Sequence, residues 1–397
     1  MTFEDSKSPS RPAKRVALAT IVIQWMRLGC VGFGGPPTHI ALLRRMCVEQ
    51  RSWIDAKEFE DAIATTNLLP GPASTQLAIY CAWRLRGSLG AVLGGLCFIV
   101  PGLAVILALS AVFLQSHPPG WLLGAAAGAG AAVPAVALNA AYGLIPASWK
   151  RIGVARAQKR RWVVYAVAGG AAAAIVGPYL VVVLVACGVT EIGLRRPTRP
   201  HPAGAPLGFL PVVGAHAVAI GGLGAVVWEA FKVGALSYGG GFVIIPFMQH
   251  DAVATYHWMS GAQFLDAVAL GQITPGPVVQ TVAVVGYAAA GVGGGLLAAL
   301  IAFAPSFAFI LLGGPRFESI RANRNIEAFL TGAGPAVIGA IAGSAIPLGL
   351  ALSHLWQIPF LAGALLWLLW VRRGGVVSGL VLAGLAGVVV ALAGVPV

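Results

Sequence analysis

The sequence predicts an all-α integral membrane protein, a polytopic helix bundle of two homologous halves in inverted topology, with broken or re-entrant helices at Gly-Gly-Pro and Pro-Gly-Pro motifs. Three observations predict it. Of 397 residues, 58% are hydrophobic and 10% are charged, with a mean hydropathy of +0.84, so there is too little polar surface to clothe a water-soluble core. Apolar runs of about 20 residues, each long enough to cross about 30 Å of hydrocarbon as a helix, recur from end to end. The chain also repeats itself.

The elements follow in order. Residues 1–15 are polar, lack a small-residue cleavage site and read as a cytoplasmic N-terminus rather than a removable signal. An N-terminal repeat over 16–200 opens with an apolar stretch interrupted by Arg27 and carries apolar runs near 87–114 and 121–146. Residues 201–220 read as a linker and the start of the next helix. A C-terminal repeat over 221–397 completes the chain, with the runs of this part near 207–230, 290–313, 326–352 and 375–396. Membrane helices use glycine for close packing and proline for deliberate breaks, which is how the 53 glycines and 26 prolines read.

A net charge of +13 does not point to nucleic acid here. The basic residues between Lys150 and Arg199 lie in short loops flanking an apolar segment, the placement expected of cytoplasmic loops. The cysteines Cys30, Cys47, Cys81, Cys97 and Cys187 show no CxxC spacing and read as packing residues, and no cofactor or metal is expected.

An offset of 205 residues holds from Arg27 to Pro72. Arg27-Leu-Gly-Cys-Val-Gly-Phe-Gly-Gly-Pro36 matches Lys232-Val-Gly-Ala-Leu-Ser-Tyr-Gly-Gly-Gly241. Trp53 matches Trp258, Phe59 matches Phe264, Asp61 matches Asp266, and Pro70-Gly-Pro72 matches Pro275-Gly-Pro277. The offset slips to 204 at Pro101 and Pro305 and to 201 at Pro134 and Pro335. Equivalent loops carry opposite basic content. The loop with Arg44, Arg45, Arg51 and Lys57 matches an uncharged-by-Lys/Arg loop from His250 to Gly261, and the neutral turn at His117 matches one with Arg316, Arg321 and Arg324. Inverted repeats with the N-terminus inside, the C-terminus outside and an odd number of crossings follow from that alternation. One tension remains: Arg15, Arg44, Arg45, Arg84 and Arg86 bracket the first two apolar segments on one side, which requires those segments to turn back or the count to change.

Broken helices at matched positions of two inverted halves point to a transporter's substrate site, because half-helix ends expose unpaired backbone groups near the midplane. Glycine admits close approach, and proline fits the first turn of a helix whose N–H groups face an anion. The candidate substrate-binding residues are therefore Gly32, Gly34, Gly35 and Pro36 with Pro70, Gly71 and Pro72. Their counterparts are Gly239, Gly240 and Gly241 with Pro275, Gly276 and Pro277. Arg27 and Lys232 are matched cations that can balance a dianion or snorkel to headgroups. Asn67 and Gln272 are matched amides able to donate to an oxyanion or to pack. Asp61 and Asp266 are candidates for proton coupling or for salt bridges to loop arginines, with helix N-terminal complementarity as the bland alternative. His39 has Ile244 as its counterpart, which excludes a symmetric role. No nucleophile with its base, phosphate loop or metal cluster is legible, so an enzyme acting on a lipid phosphate is the weaker reading.

Gly32-Phe-Gly-Gly-Pro36, Trp53, Phe59 and Asn67-Leu-Leu-Pro-Gly-Pro72, repeated as Gly239-Gly-Gly241, Trp258, Phe264 and Gln272-Ile-Thr-Pro-Gly-Pro277, resemble the chromate ion transporter family over nearly the whole chain. The resemblance implies a long-chain, two-domain protein of the bacterial inner membrane that expels chromate and confers resistance, with sulfate as competing or exchanged analogue. Gly241 in place of proline and Gln272 in place of asparagine depart from the first copy, so the halves are not expected to contribute equally. The partners implied are a chromate- or sulfate-like oxyanion and membrane lipid; molybdate as cargo and a homodimer stay open. Rocking of one half against the other is the expected motion.

Overall fold

Glycine and proline cut the apolar runs into long spans and short half-spans. The computed structural model describes residues 16–67, 69, 71–115, 118–152, 155–176, 180–195, 222–237, 244–313, 323–371 and 375–397. Pro70, Gly239, Gly240, Gly241, the stretch 1–15 and the whole linker 201–220 lie outside the described residues. Those described form fourteen α-helices and no strand. The first half holds α1 (Leu18–Val31), α2 (Pro36–Arg44, continued by a π turn Arg45–Gln50), α3 (Ala56–Thr66), α4 (Ala73–Phe113), α5 (Gly120–Arg151), α6 (Arg156–Ala171) and α7 (Leu180–Arg195). The second holds α8 (Leu223–Leu236), α9 (Ile244–Gln249, continued by a π turn His250–Thr255), α10 (Gly261–Ile273), α11 (Thr281–Gly313), α12 (Arg324–Leu350), α13 (Gln357–Trp370) and α14 (Gly375–Leu392). Five of them, α4, α5, α11, α12 and α14, are long and apolar enough to cross a membrane.

Each of α4 and α11 is two helices joined by a sharp bend. The backbone leaves the helix at Arg86 (φ −147°, ψ 22°) and Gly87 (φ 62°, ψ −151°), and Ala290 (φ −153°, ψ 33°) and Gly291 (φ 62°, ψ −155°) repeat that geometry. The positive φ is one that glycine reaches without a Cβ penalty. Beyond the bend the chain doubles back, so that Gly90 and Gly94 face Ala82 and Gly95 faces Ile79. Gly294 and Gly295 likewise face Gly286 and Ala283.

The short helices pack along these hairpins. Trp25 Nε1 donates to the Ala78 carbonyl at 2.9 Å, and Gly29 lies against Cys97, Phe98 and Pro101, so α1 runs alongside the outer limb of α4. α2 then runs back: His39 reaches Ser74 at the deep end, whereas Arg44 pairs with Glu60 and Arg84 pairs with Glu58 at the other. α1 with α2, and α3 with the first limb of α4, are thus two hairpins that enter and leave at one end. Arg44, Arg45, Arg84 and Arg86 gather there, and the opposite tips hold the breaks, with Gly32, Gly35, Gly71 and Pro72 buried.

The outer limbs of α4 and α11 touch in opposite order, with Gly95 against Phe307 and Leu107 against Gly295. These equivalent helices therefore lie antiparallel. The remaining helices exchange partners between halves. α5 packs on α13 and α14, where Gly124 and Gly128 meet Gly387 and Ala383 and Gln357 Nε2 donates to the Ala127 carbonyl at 3.0 Å. α12 packs on α6 and α7, with Gly169 against Ala336, Gly339 against Ala166 and Gly332 against Cys187. Small residues let these backbones approach within van der Waals range where lipid supplies no hydrophobic drive. The two sequence halves are consequently interlocked rather than two bodies hinged at a linker.

A Cβ on Gly339 would overlap the Ala166 carbonyl, while one on Gly143 or Gly363 meets nothing within 4 Å. Gly339→Ala should therefore destabilise the folded protein by about 1–3 kcal/mol, and Gly143→Ala and Gly363→Ala should leave it unchanged or slightly stabilised. Thermal unfolding in detergent separates these outcomes.

Candidate functional site

The breaks in the two halves meet at one point. The Gly276 N–H donates to the Gly32 carbonyl at 2.9 Å, joining the second Pro-Gly-Pro motif to the first glycine motif. His39 Nε2 lies 2.9 Å from the same carbonyl and His39 Nδ1 lies 3.2 Å from Ser74 Oγ. Both acceptor sites of Gly32 are thereby filled, and the donating Nε2–H fixes the imidazole as the tautomer that accepts from the Ser74 hydroxyl. Gly35, in a left-handed conformation (φ 75°) as N-cap of α2, stands 3.5 Å in projected side-chain distance from Val278 of the other half.

Three helix N-termini converge here. α2 starts at Pro36, α4 at Ala73 after Pro72, and a 3-10 turn at Val278 after Pro277. Proline has no N–H to lose at such a start, and the exposed N–H groups beyond it carry the positive end of the helix dipole. Gly71 (φ 111°) and Gly276 (φ 98°) make the turns that aim these ends inward. Beneath Gly276 sits Gln280, whose Nε2 donates to the Ile99 carbonyl at 2.7 Å. Gln76 occupies the corresponding place beneath Gly71.

The other expected residues divide. Gln272 is buried with its Nε2 unbonded among the described residues, whereas Asn67 is half-exposed at the end of α3. Asp266 faces α5, its Oδ1 3.1 Å from where a Gly130 side chain would start; Asp61 is half-buried on α3. Gly34 (φ 96°) is exposed, beside Thr38.

The matched cations have opposite environments. Arg27 is exposed and forms no ion pair among the described residues. Lys232 is half-buried; its Nζ pairs with Glu229 Oε2 at 2.7 Å and with Asp251, and stands 5.9 Å from the Trp228 ring centre. With two carboxylates around one ammonium, Lys232 is not a spare positive charge. Glu229 and Asp251 were missed at the sequence level, although an acid inside an apolar run one helical turn before a lysine was the available signal. His39 was set aside for lacking a counterpart, yet it braces the Gly32 carbonyl, through which the two sets of breaks are joined.

Removing the ammonium alone would strand two buried carboxylates. Lys232→Gln should cost about 3–5 kcal/mol of stability, most of it recovered in Lys232→Gln/Glu229→Gln/Asp251→Asn, while Arg27→Gln should be near neutral. Unfolding midpoints of the purified variants check this; equal effects of Lys232→Gln and Arg27→Gln would contradict it.

A family model described as chromate transporter matches residues 19–192 and 224–392. A chromate transport protein of Cupriavidus metallidurans is 33% identical over 348 residues, covering 85% of this chain and 84% of its own. One of Pseudomonas aeruginosa is 33% identical over 391 residues, covering 92% and 90%. An uncharacterized transporter of Methanocaldococcus jannaschii is 28% identical over 326 residues, covering 76% and 77%. No solved structure matches.

Proposed function

The chain belongs to the chromate transporter family, and from that premise we propose that it is a secondary active transporter that exports chromate from the cytoplasm through a site shared with sulfate. Family membership makes it a multi-pass membrane transporter rather than an enzyme. The observation that carries the finer reading is the meeting of the two broken-helix motifs at the Gly276 to Gly32 hydrogen bond. Half-helix N-termini directed at one buried point suit a tetrahedral dianion, because aligned backbone N–H groups stabilise negative charge without a buried cation.

The proposal includes inverted topology in the inner membrane, with the N-terminus cytoplasmic and the C-terminus periplasmic. The hairpin ends bearing Arg44, Arg45, Arg84 and Arg86 then face the cytoplasm, in keeping with the excess of basic residues expected there. Antiparallel packing of the outer limbs of α4 and α11 supports that orientation. Asp61 and Asp266 are the proposed coupling groups, and an exchanged anion or the proton gradient drives export. The interlocked helices change the expected motion. Rocking of sequence halves would pull α5 from α14 and α12 from α6, so alternating access is assigned instead to movement of the hairpin core against those outer helices.

Everted membrane vesicles containing the protein should accumulate labelled chromate when energised, and excess sulfate should suppress the uptake. No uptake above empty vesicles, with the protein shown folded, would reject chromate as cargo and turn the search to molybdate or other anions.

A further inference from the structure

Buried hydroxyls in this bundle are normally satisfied by their own helix. Ser110 donates to the Ile106 carbonyl at 2.7 Å, Thr66 to Ala62 at 2.9 Å, Thr274 to Leu270 at 2.9 Å and Ser344 to Ile341 at 2.7 Å. Ser237, Ser306 and Thr75 depart from that pattern. All three are fully buried, and none of their hydroxyls has a hydrogen-bond partner among the described residues. A buried polar group left so costs about 1–3 kcal/mol.

Ser306 stands at the first Pro-Gly-Pro break, and Ser237 and Thr75 each lie within one helical turn of a residue at that break. Ser306 Oγ stands 3.2 Å from where a Gly71 side chain would begin, and the Gly234 carbonyl stands 3.5 Å from that same point. Ser237 follows Gly234 by one helical turn at the end of α8, and Thr75 lies in the first turn of α4, whose N-cap Pro72 supplies no side-chain hydrogen bond. The first N–H groups of a helix have no partner within it.

At the second break the same positions are closed by protein. Gly102 takes the place of Ser306 and packs directly on the Pro275 carbonyl, and Gly32 takes the place of Ser237 and accepts the Gly276 N–H. Neither cation of the matched pair competes for the role: Lys232 is held by Glu229 and Asp251, and Arg27 is exposed.

We propose that the transported oxyanion is bound at the first Pro-Gly-Pro break alone, by the hydroxyls of Ser306, Ser237 and Thr75 together with the N-terminus of α4. The proposal rests on the oxyanion-transport reading above. It makes the substrate site asymmetric in a chain whose scaffold is symmetric, with donors on the first break contributed by the second half. A dianion is held there by uncharged donors and the helix dipole.

The test is equilibrium binding of labelled chromate and labelled sulfate to the purified protein and its variants. Ser306→Ala should weaken binding of both anions by about tenfold or more, the loss of one hydrogen bond to a charged group, and Ser237→Gly should act in the same direction. Ser306→Thr, which keeps the hydroxyl, should restore most of the affinity, and Ser344→Ala, which removes a satisfied hydroxyl elsewhere, should change nothing. Wild-type affinity in Ser306→Ala and Ser237→Gly would overturn the placement while leaving the transport reading intact. Equal loss in Ser306→Ala and Ser306→Thr would reduce Ser306 to a packing residue and overturn the placement as well. If the wild-type protein binds neither anion, the transport reading fails and this inference falls with it.

Discussion

A helix broken inside hydrocarbon releases backbone N–H and C=O groups that no water can satisfy. The Gly276 to Gly32 hydrogen bond meets part of that demand by letting a break in one half satisfy a break in the other. His39 completes the arrangement by filling the remaining acceptor site of Gly32 and reaching to Ser74 at the start of α4. Neither set of breaks is self-sufficient. The hairpin tips are stable at depth because they are stacked against each other, and that stacking brings the helix N-termini together.

The tips can approach only because the helices around them are nearly bare. Gly29 on Pro101, Gly234 on Ala302, Gly95 on Phe307 and Gly102 on Pro275 are all contacts that a larger side chain would block. The same device locks the periphery, where α6 crosses α12 and α5 crosses α14 through matched glycines. Dense small-residue packing transmits displacement instead of absorbing it. That is why the proposed alternating access is assigned to movement between the hairpin core and the outer helices rather than to separation of these glycine-packed pairs.

Symmetry of the scaffold coexists with asymmetry of the chemistry. Gln24 and Met46 stand in the first half where Glu229 and Asp251 stand in the second, so the buried ion cluster around Lys232 has no equivalent at the matching positions of the first half, whose own buried acid, Glu191, pairs with Arg161 and Arg195 elsewhere. Gly102 and Gly32 stand where Ser306 and Ser237 stand, and Ile244 stands where His39 stands. Duplicated folds retain their backbone breaks while their side chains take separate tasks, and here those tasks are joining, charge burial and hydrogen-bond donation.

The family match bears out membrane transport and a helical bundle, both legible in composition and in the spacing of apolar runs, because a bilayer sets helix length and excludes charge. The 205-residue offset was legible too, and the element bounds of α1 and α8 follow it residue for residue. Breaks at glycine and proline could be read because those residues act on their own backbone. Partnerships could not. That Lys232 is neutralised, that Arg27 is exposed, that His39 braces Gly32 and that Ser306 reaches Gly71 across the halves all depend on which helix faces which. By itself the sequence determined the medium, the duplication and the places where helices stop, since these follow from local chemistry. Tertiary structure alone decided which of the matched polar residues are spent on one another and which remain available, since that is set by which segments meet, from Lys232 and Asp251 across a turn of chain to Ser306 and Gly71 across the two halves.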